Sequence, residues 1–344
     1  MHRIALLFIL TVCLSLAITA DSEVVFPTDG WQTDDPAAYG FDTDMLAEMD
    51  MFIDDTMPAL DSLLIVRDGM IVYERYFDGG DETTLREMFS VTKSVTSALT
   101  GIALENGDLD SIDVPVLDFF PDYITDDELK TRLTLEHLLQ MKSGLVWNDL
   151  FFAGQLLDGE LVSEDILDQM ALFEPGTQFN YSTGNSQVIS SILETATGVS
   201  LAAYAETVLF EPLGIENYVW GQDGEGVYFG GVGLQLTARD MAKFGYLYLH
   251  DGMWDNEQIV PQDWVDISTA AGTSTDDYGY HWWIETYGDY TVVEAQGFGG
   301  QKIHIFEDLD MLVITQATPS FEDDTTRDIR RLIRDYILPA VTGQ

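Results

Sequence analysis

Met88-Phe89-Ser90-Val91-Thr92-Lys93-Ser94-Val95-Thr96-Ser97-Ala98-Leu99 carries the pattern around which the chain is organised. Val91, Val95, Leu99 and Ile102 recur at steps of three and four, which predicts a helix with one apolar, buried face. Gly107, in Glu105-Asn106-Gly107-Asp108, is a natural stop for it. Ser90 and Lys93 fall in the first turn of that helix and share a face, because residues three apart are neighbours on a helix. Free N–H groups and the positive end of the helix dipole favour a developing alkoxide on Ser90. The same field, with apolar neighbours, disfavours the ammonium form of Lys93 and lowers its pKa. A neutral lysine accepts the serine proton, and serine attack then leads to an acyl-enzyme. Ser-x-x-Lys is short enough to arise by chance, so its weight depends on elements further along the chain.

Length and charge bound the alternatives. The chain has 344 residues, enough for one large fold or two closely packed lobes, and its 46% hydrophobic content is that of a folded protein. Sixty acidic residues against 15 basic ones give a formal net charge of −45, which repels nucleic acid and anionic lipid. The acidic residues are spread along the chain and are expected to coat a folded surface, the balance of a protein adapted to saline surroundings. Residues 1–20 read as a signal peptide: Arg3, the apolar run Ile4 to Ala17, and a small Ala20 before Asp21. The run is short for a membrane span, so cleavage and export to the periplasm or the medium are expected, with no membrane association afterwards. The single cysteine, Cys13, lies in this leader, so no disulfide, zinc cluster or thiol nucleophile is expected of the mature protein. His250, His281 and His304 have no metal-ligand spacing, and neither metal nor cofactor is expected. No Gly-x-Ser-x-Gly elbow is present to suggest a Ser-His-Asp triad.

Taken in order, residues 21–40 read as an irregular arm and 41–56 as a helix. Runs at 62–67 and 70–77 flank Asp68-Gly69 and predict a hairpin. Residues 111–225 read as mostly helical, with helices opening at Leu133, Ser163, Gly184 and Leu201. Thr237 with Asp240 caps a helix to Leu249. Strands are expected at 278–285, 290–296, 302–306 and 311–316, and a last helix at 324–337. The class is α/β: a discontinuous sheet lobe, 41–110 and 226–344, with a helical lobe, 111–225, inserted into it.

Two further stretches bear on chemistry. Gly176-Thr177-Gln178-Phe179-Asn180-Tyr181-Ser182-Thr183-Gly184-Asn185 places Tyr181 between a turn and a helix start, where it is either a core residue or a proton relay to the serine and the leaving group. Ala295-Gln296-Gly297-Phe298-Gly299-Gly300-Gln301 is either an ordinary hairpin turn or a place of close backbone approach, where an N–H joins that of Ser90 in an oxyanion hole. Trp147, Trp282 and Trp283 either line a cleft or pack in the core, and Asp149 either reaches the site or is a solvated loop carboxylate.

Taken together, these stretches resemble the serine hydrolases of the β-lactamase and penicillin-binding-protein superfamily, on the class C and esterase side, and most closely the 6-aminohexanoate-dimer hydrolase-like group. The likeness runs from about residue 40 to 338 and includes Leu135-Glu136-His137-Leu138-Leu139, Ser143-Gly144-Leu145, Trp147-Asn148-Asp149, Leu236 to Gly245, Tyr278-Gly279-Tyr280-His281-Trp282-Trp283 and Gly297 to Gln301. It implies an antiparallel sheet covered by helices beside an all-α lobe, with the site between them. It also implies Ser90 as the acylated nucleophile, Lys93 as its activator, Tyr181 as the second-motif tyrosine, and the N–H groups of Ser90 and Phe298 as the oxyanion hole.

The departures from that pattern shape the expected substrate. Where lactamases have Tyr-x-Asn, this chain has Thr183, with Asn185 as a displaced amide. Where they have Lys-Thr-Gly, it has Ala295-Gln296-Gly297, without the cation that pairs with a drug carboxylate. Thr183, Asn185, Gln296, Gly297, Trp147 and Asp149 are therefore the candidate substrate contacts. The expected activity is hydrolysis of small carboxylic esters or amides. A D-amino-acid or cell-wall peptidase, a weak β-lactamase and a non-catalytic penicillin-binding-like sensor are the rival readings.

Overall fold

The computed structural model describes residues 24–319 and 324–341, so the leader expected at 1–20 lies outside the described residues. In chain order, helix α1 (Thr43–Thr56) precedes strands β1 (Leu60–Arg67) and β2 (Met70–Tyr76), a short β3 (Arg86–Glu87) and helix α2 (Val91–Asn106). Helices α3 (Leu135–Leu139), α4 (Asp149–Leu157), α5 (Ser163–Leu167), α6 (Thr183–Thr197), α7 (Leu201–Ala205) and α8 (Glu211–Leu213) follow. Next come β4 (Val219–Trp220), β5 (Leu234–Leu236), α9 (Ala238–Leu249), the hairpin β6 (Met253–Trp254) and β7 (Glu257–Gln258), and α10 (Gln262–Thr269). The described residues close with β8 (Trp283–Tyr287), β9 (Tyr290–Gly297), β10 (Gln301–Phe306), β11 (Met311–Ala317) and α11 (Thr325–Leu332), which runs on through residues 333–337 into the short α12 (Leu338–Ala340).

Six of these strands form an antiparallel sheet in the order β2-β1-β11-β10-β9-β8. Its middle strands read as nearly continuous apolar runs because helices cover both faces. Leu64 and Val66 of β1 enter the core shared with α2 and α9, whereas Leu63 and Ile65 enter the one shared with α1 and α11. Strand β9 alternates the same way: Val293 and Ala295 lie on the α2 side and Val292 on the α11 side. The Asp68-Gly69 turn has φ of 48° and 77°, the left-handed pair that matches a two-residue hairpin.

Three elements differ from their sequence reading. Helix α2 was expected to bury one face, yet every residue from Val91 to Ala103 is buried. Three of its small polar side chains bond to backbone: Ser94 Oγ donates to the His281 carbonyl at 2.8 Å, Thr96 Oγ1 to the Gly230 carbonyl at 2.6 Å and Thr100 Oγ1 to the Thr96 carbonyl at 2.9 Å. The strand expected from Tyr278 begins only at Trp283, because Tyr278, Tyr280, His281 and Trp282 are all buried in an irregular turn, with His281 at φ 67°. A small sheet in the order β3-β5-β4 was not foreseen. Its strands are two or three residues long, too short for a periodicity signal.

Candidate active site

Ser90 is the N-cap of α2, with φ −69° and ψ −5°, and its side chain makes no capping bond. The hydroxyl is directed instead at Lys93, whose Nζ lies 2.8 Å from Ser90 Oγ. Phe89, immediately before it, is held at φ 47°, an uncommon conformation for a residue with a side chain. The N–H groups of Val91, Thr92 and Lys93 bond to the carbonyls of Met88, Phe89 and Ser90. Among the described residues no acceptor takes the N–H of Ser90 itself.

Lys93 is 1% exposed, whereas Ser90 is partly exposed. The amine also reaches Thr183 Oγ1 at 3.0 Å and the Gly231 carbonyl at 3.0 Å. A Cβ on Gly231 would stand 3.0 Å from Ser186 Cβ and Thr183 Cγ2 and 3.2 Å from Lys93 Nζ, so a larger residue here would crowd the surroundings of the lysine. Burial pushes the lysine down to about 8, against the opposing charge of Asp149. Thr183 Oγ1 donates to Asp149 Oδ2 at 2.8 Å, and the Thr183 N–H donates to Asp149 Oδ1 at 3.0 Å, which also receives Trp147 Nε1. The threonine proton is thus committed to the carboxylate, so Thr183 Oγ1 accepts from Lys93, as the Gly231 carbonyl must. A neutral Lys93 spends both its protons on these two acceptors, and its lone pair is left for Ser90.

Tyr181 stands on the other side of the amine, with Lys93 Nζ 4.9 Å from its ring centroid. Burial and Asp149 push the phenol upward, while a hydrogen bond with the Ser90 hydroxyl pulls the other way. The phenol therefore keeps its proton at neutral pH. The half-buried Trp283 stacks on Tyr181 with ring centroids 5.8 Å apart. His281 lies behind the lysine, its Nδ1 3.1 Å from the Lys93 carbonyl, and burial pushes its imidazole down to about 3. It is a neutral brace rather than a base.

The turn after β9 closes over the serine. A Cβ on Gly297 would meet the Met88 carbonyl at 2.3 Å, so only glycine permits this approach. Phe298 is 52% exposed, and its ring meets that of Phe89 edge-on at 5.9 Å. Gln296 points to the opposite face of the sheet, where its Nε2 donates to Glu294 Oε2 at 2.8 Å. There Lys302 Nζ is tied to the same oxygen at 2.9 Å, with both residues almost fully buried. The Ala295 side chain is buried on the α2 side and supplies no charge.

Ser90, Lys93, Tyr181, Thr183, Asp149 and Trp147 are thus gathered together, but four of the expected substrate contacts need correction. Thr183 is 1% exposed and anchors the lysine. Asn185 is fully buried one turn into α6, with Nδ2 toward Met141. Trp147 is buried, stacked on Phe152, and holds Asp149. Gln296 is turned away by the alternation of β9. The Gly231 carbonyl and Glu87, whose Oε1 accepts the Phe89 N–H at 3.0 Å, were missed. The glycines of Gly230-Gly231-Val232-Gly233 were the only available signal. Among the described residues no group of three or more His, Cys, Asp or Glu is placed to hold a metal ion.

The family model described as Beta-lactamase matches residues 61–336. The 6-aminohexanoate-dimer hydrolase of Paenarthrobacter ureafaciens is 23% identical over 296 residues, covering 78% of this chain and 74% of that one. Esterase EstB of Burkholderia gladioli is 28% identical over 212 residues, 53% of this chain and 54% of the esterase, so the match spans about half of its length. The octameric penicillin-binding protein homologue from Pyrococcus abyssi superposes with a TM-score of 0.71 at 21% identity, over 86% of this chain and 78% of that one, a likeness of fold.

Proposed function

The chain belongs to the Beta-lactamase family of serine hydrolases, and from that membership we propose that it cleaves small, neutral or cationic carboxylic esters or amides through an acyl-enzyme on Ser90. The observation that carries this reading is the coordination of Lys93: two acceptors occupy its protons and Ser90 Oγ faces its lone pair. Lys93 takes the hydroxyl proton as Ser90 Oγ bonds to the substrate carbonyl carbon. The oxyanion is held by the N–H groups of Ser90 and Phe298. As the intermediate collapses, the proton on Lys93 passes to the leaving alcohol or amine by way of the Tyr181 hydroxyl, which donates one proton and receives another. A water molecule then attacks the acyl-enzyme by the same path, releasing the acid and restoring Ser90. Because its phenol is pushed upward, Tyr181 acts here as a neutral donor and relay rather than as a phenolate base.

Charge selects the substrate. The position that holds a cation in lactamases is Ala295, and the nearby Lys302 is already paired with Glu294 behind the sheet. With a net charge of −45 as well, the site disfavours the carboxylate that β-lactams carry. Hydrolysis of p-nitrophenyl butyrate is expected to exceed that of nitrocefin by at least about a hundredfold in kcat/KM, the worth of one missing charge-assisted bond in a shielded site. Nitrocefin turnover matching the ester would reverse this assignment of substrate. The export read in residues 1–20 belongs to the same proposal: protein recovered outside the cytoplasm is expected to begin at Asp21, and recovery of uncleaved chain in the cytoplasm alone would remove it.

A further inference from the structure

Glu87 lies in β3, three residues before the nucleophile, and takes no part in the proton path. Its Oε1 accepts two backbone N–H groups at once, from Phe89 at 3.0 Å and from Gly233 at 2.8 Å. These belong to the two segments on which the Ser90–Lys93 contact depends. Phe89 is the φ 47° residue that turns the chain into Ser90, and Gly233 closes the loop whose Gly231 carbonyl holds Lys93 Nζ. The β3–β5 ladder pairs Glu87 with Gln235, and the Met88 N–H bonds to the Leu234 carbonyl at 2.9 Å. Just beyond that point the two chains separate, one toward the serine and the other toward the lysine, and the carboxylate bridges the gap. Burial pushes Glu87 upward in pKa while these two N–H bonds pull it down, and no cation contributes. A half-buried carboxylate without a cation beside it is stabilised by the hydrogen bonds it accepts.

We propose that Glu87 is a positioning residue for acylation, a clasp that ties the strained turn before Ser90 to the loop that holds Lys93. Without it, Phe89 relaxes from the left-handed region, Ser90 Oγ moves off the lysine lone pair, and the Gly231 carbonyl loses its register with Nζ. One oxygen does this work, and an amide oxygen can replace it. Leu, Ala and Asp cannot, since the first two lack the acceptor and the third is a methylene too short to meet both N–H groups.

The proposal rests on the Ser90–Lys93 reading, so the test begins with wild type and S90A on p-nitrophenyl butyrate. Turnover surviving in S90A would refute that reading and leave the clasp without a reaction to serve. With it established, the readout is the acylation rate from the p-nitrophenol burst. Glu87→Ala is expected to slow acylation about 10- to 100-fold, the scale of a displacement of about 1 Å, with the half-saturating ester concentration unchanged. Glu87→Gln is expected to recover most of that loss. In a Phe89→Gly background, where φ near 47° is unstrained, the loss from Glu87→Ala is expected to shrink. If E87A does not fold, Glu87→Asp carries the comparison with Glu87→Gln. Three outcomes overturn the proposal: wild-type acylation in E87A or E87D, E87Q as slow as either, or the same loss in both backgrounds. A structural brace of β3 and β5 would lower the melting temperature without this pattern in the burst.

Discussion

Ser90→Ala is expected to reduce kcat/KM for p-nitrophenyl butyrate by about 10⁴-fold or more, since a hydrolase that has lost its nucleophile keeps only the contribution of its oxyanion donors and binding. The fold is expected to persist. The Ser90 hydroxyl caps nothing, its bonds within the site are to Lys93 and Tyr181, and the residue is partly exposed. Its removal is expected to change stability by no more than about 0.5 kcal/mol. The informative comparison is therefore kcat/KM against the melting temperature of the same preparation. A large kinetic loss with an unchanged melt locates the chemistry at Ser90, and activity within tenfold of wild type would place it elsewhere.

The second large effect follows the protonation of Lys93. The proposed mechanism needs the neutral amine, and burial brings its pKa down to about 8. kcat/KM is expected to rise about tenfold per pH unit below that value and to level off above it. Lys93→Ala removes the base and is expected to cost about 10³-fold, abolishing this limb of the profile. Asp149→Asn tests the same group from outside. Asp149 opposes the effect of burial by favouring the ammonium form, so removing its charge lowers the lysine pKa further and moves the limb toward lower pH. A limb that stays in place in the Asp149 variant, or moves upward, would show that another group titrates.

What was legible in the sequence was what is local. Ser90 and Lys93 could be paired because a helix brings residues three apart together. The Asp68-Gly69 hairpin and the Thr237 cap, which accepts the Asp240 N–H at 3.0 Å, were visible because each is settled within a few residues. Tyr181 came from the resemblance of its motif, and the parts that were missed are made by long-range contact with backbone. The Gly231 carbonyl lies 138 residues along the chain from the lysine it holds, and a carbonyl leaves no mark in a sequence. Glu87 looked like any other carboxylate among sixty acidic residues. Thr183 and Asn185 follow a motif position that suggested substrate contact, but Ser182 caps α6 by accepting the Asn185 N–H at 3.1 Å, and the helix starting there turns both side chains inward. Tyr278 to Trp282 mimicked a strand because buried aromatics are common to strands and to tightly packed turns.

Everything proposed for this site depends on acylation of Ser90 by a carboxylic ester. That step is tested most directly by quenching wild-type enzyme in acid during turnover of p-nitrophenyl butyrate and mapping the peptides by mass spectrometry. One butyryl group is expected on the peptide carrying Ser90, present in wild type and absent from S90A. A butyryl group on a different residue that disappears as turnover proceeds, or steady turnover by S90A at the wild-type rate, would contradict it.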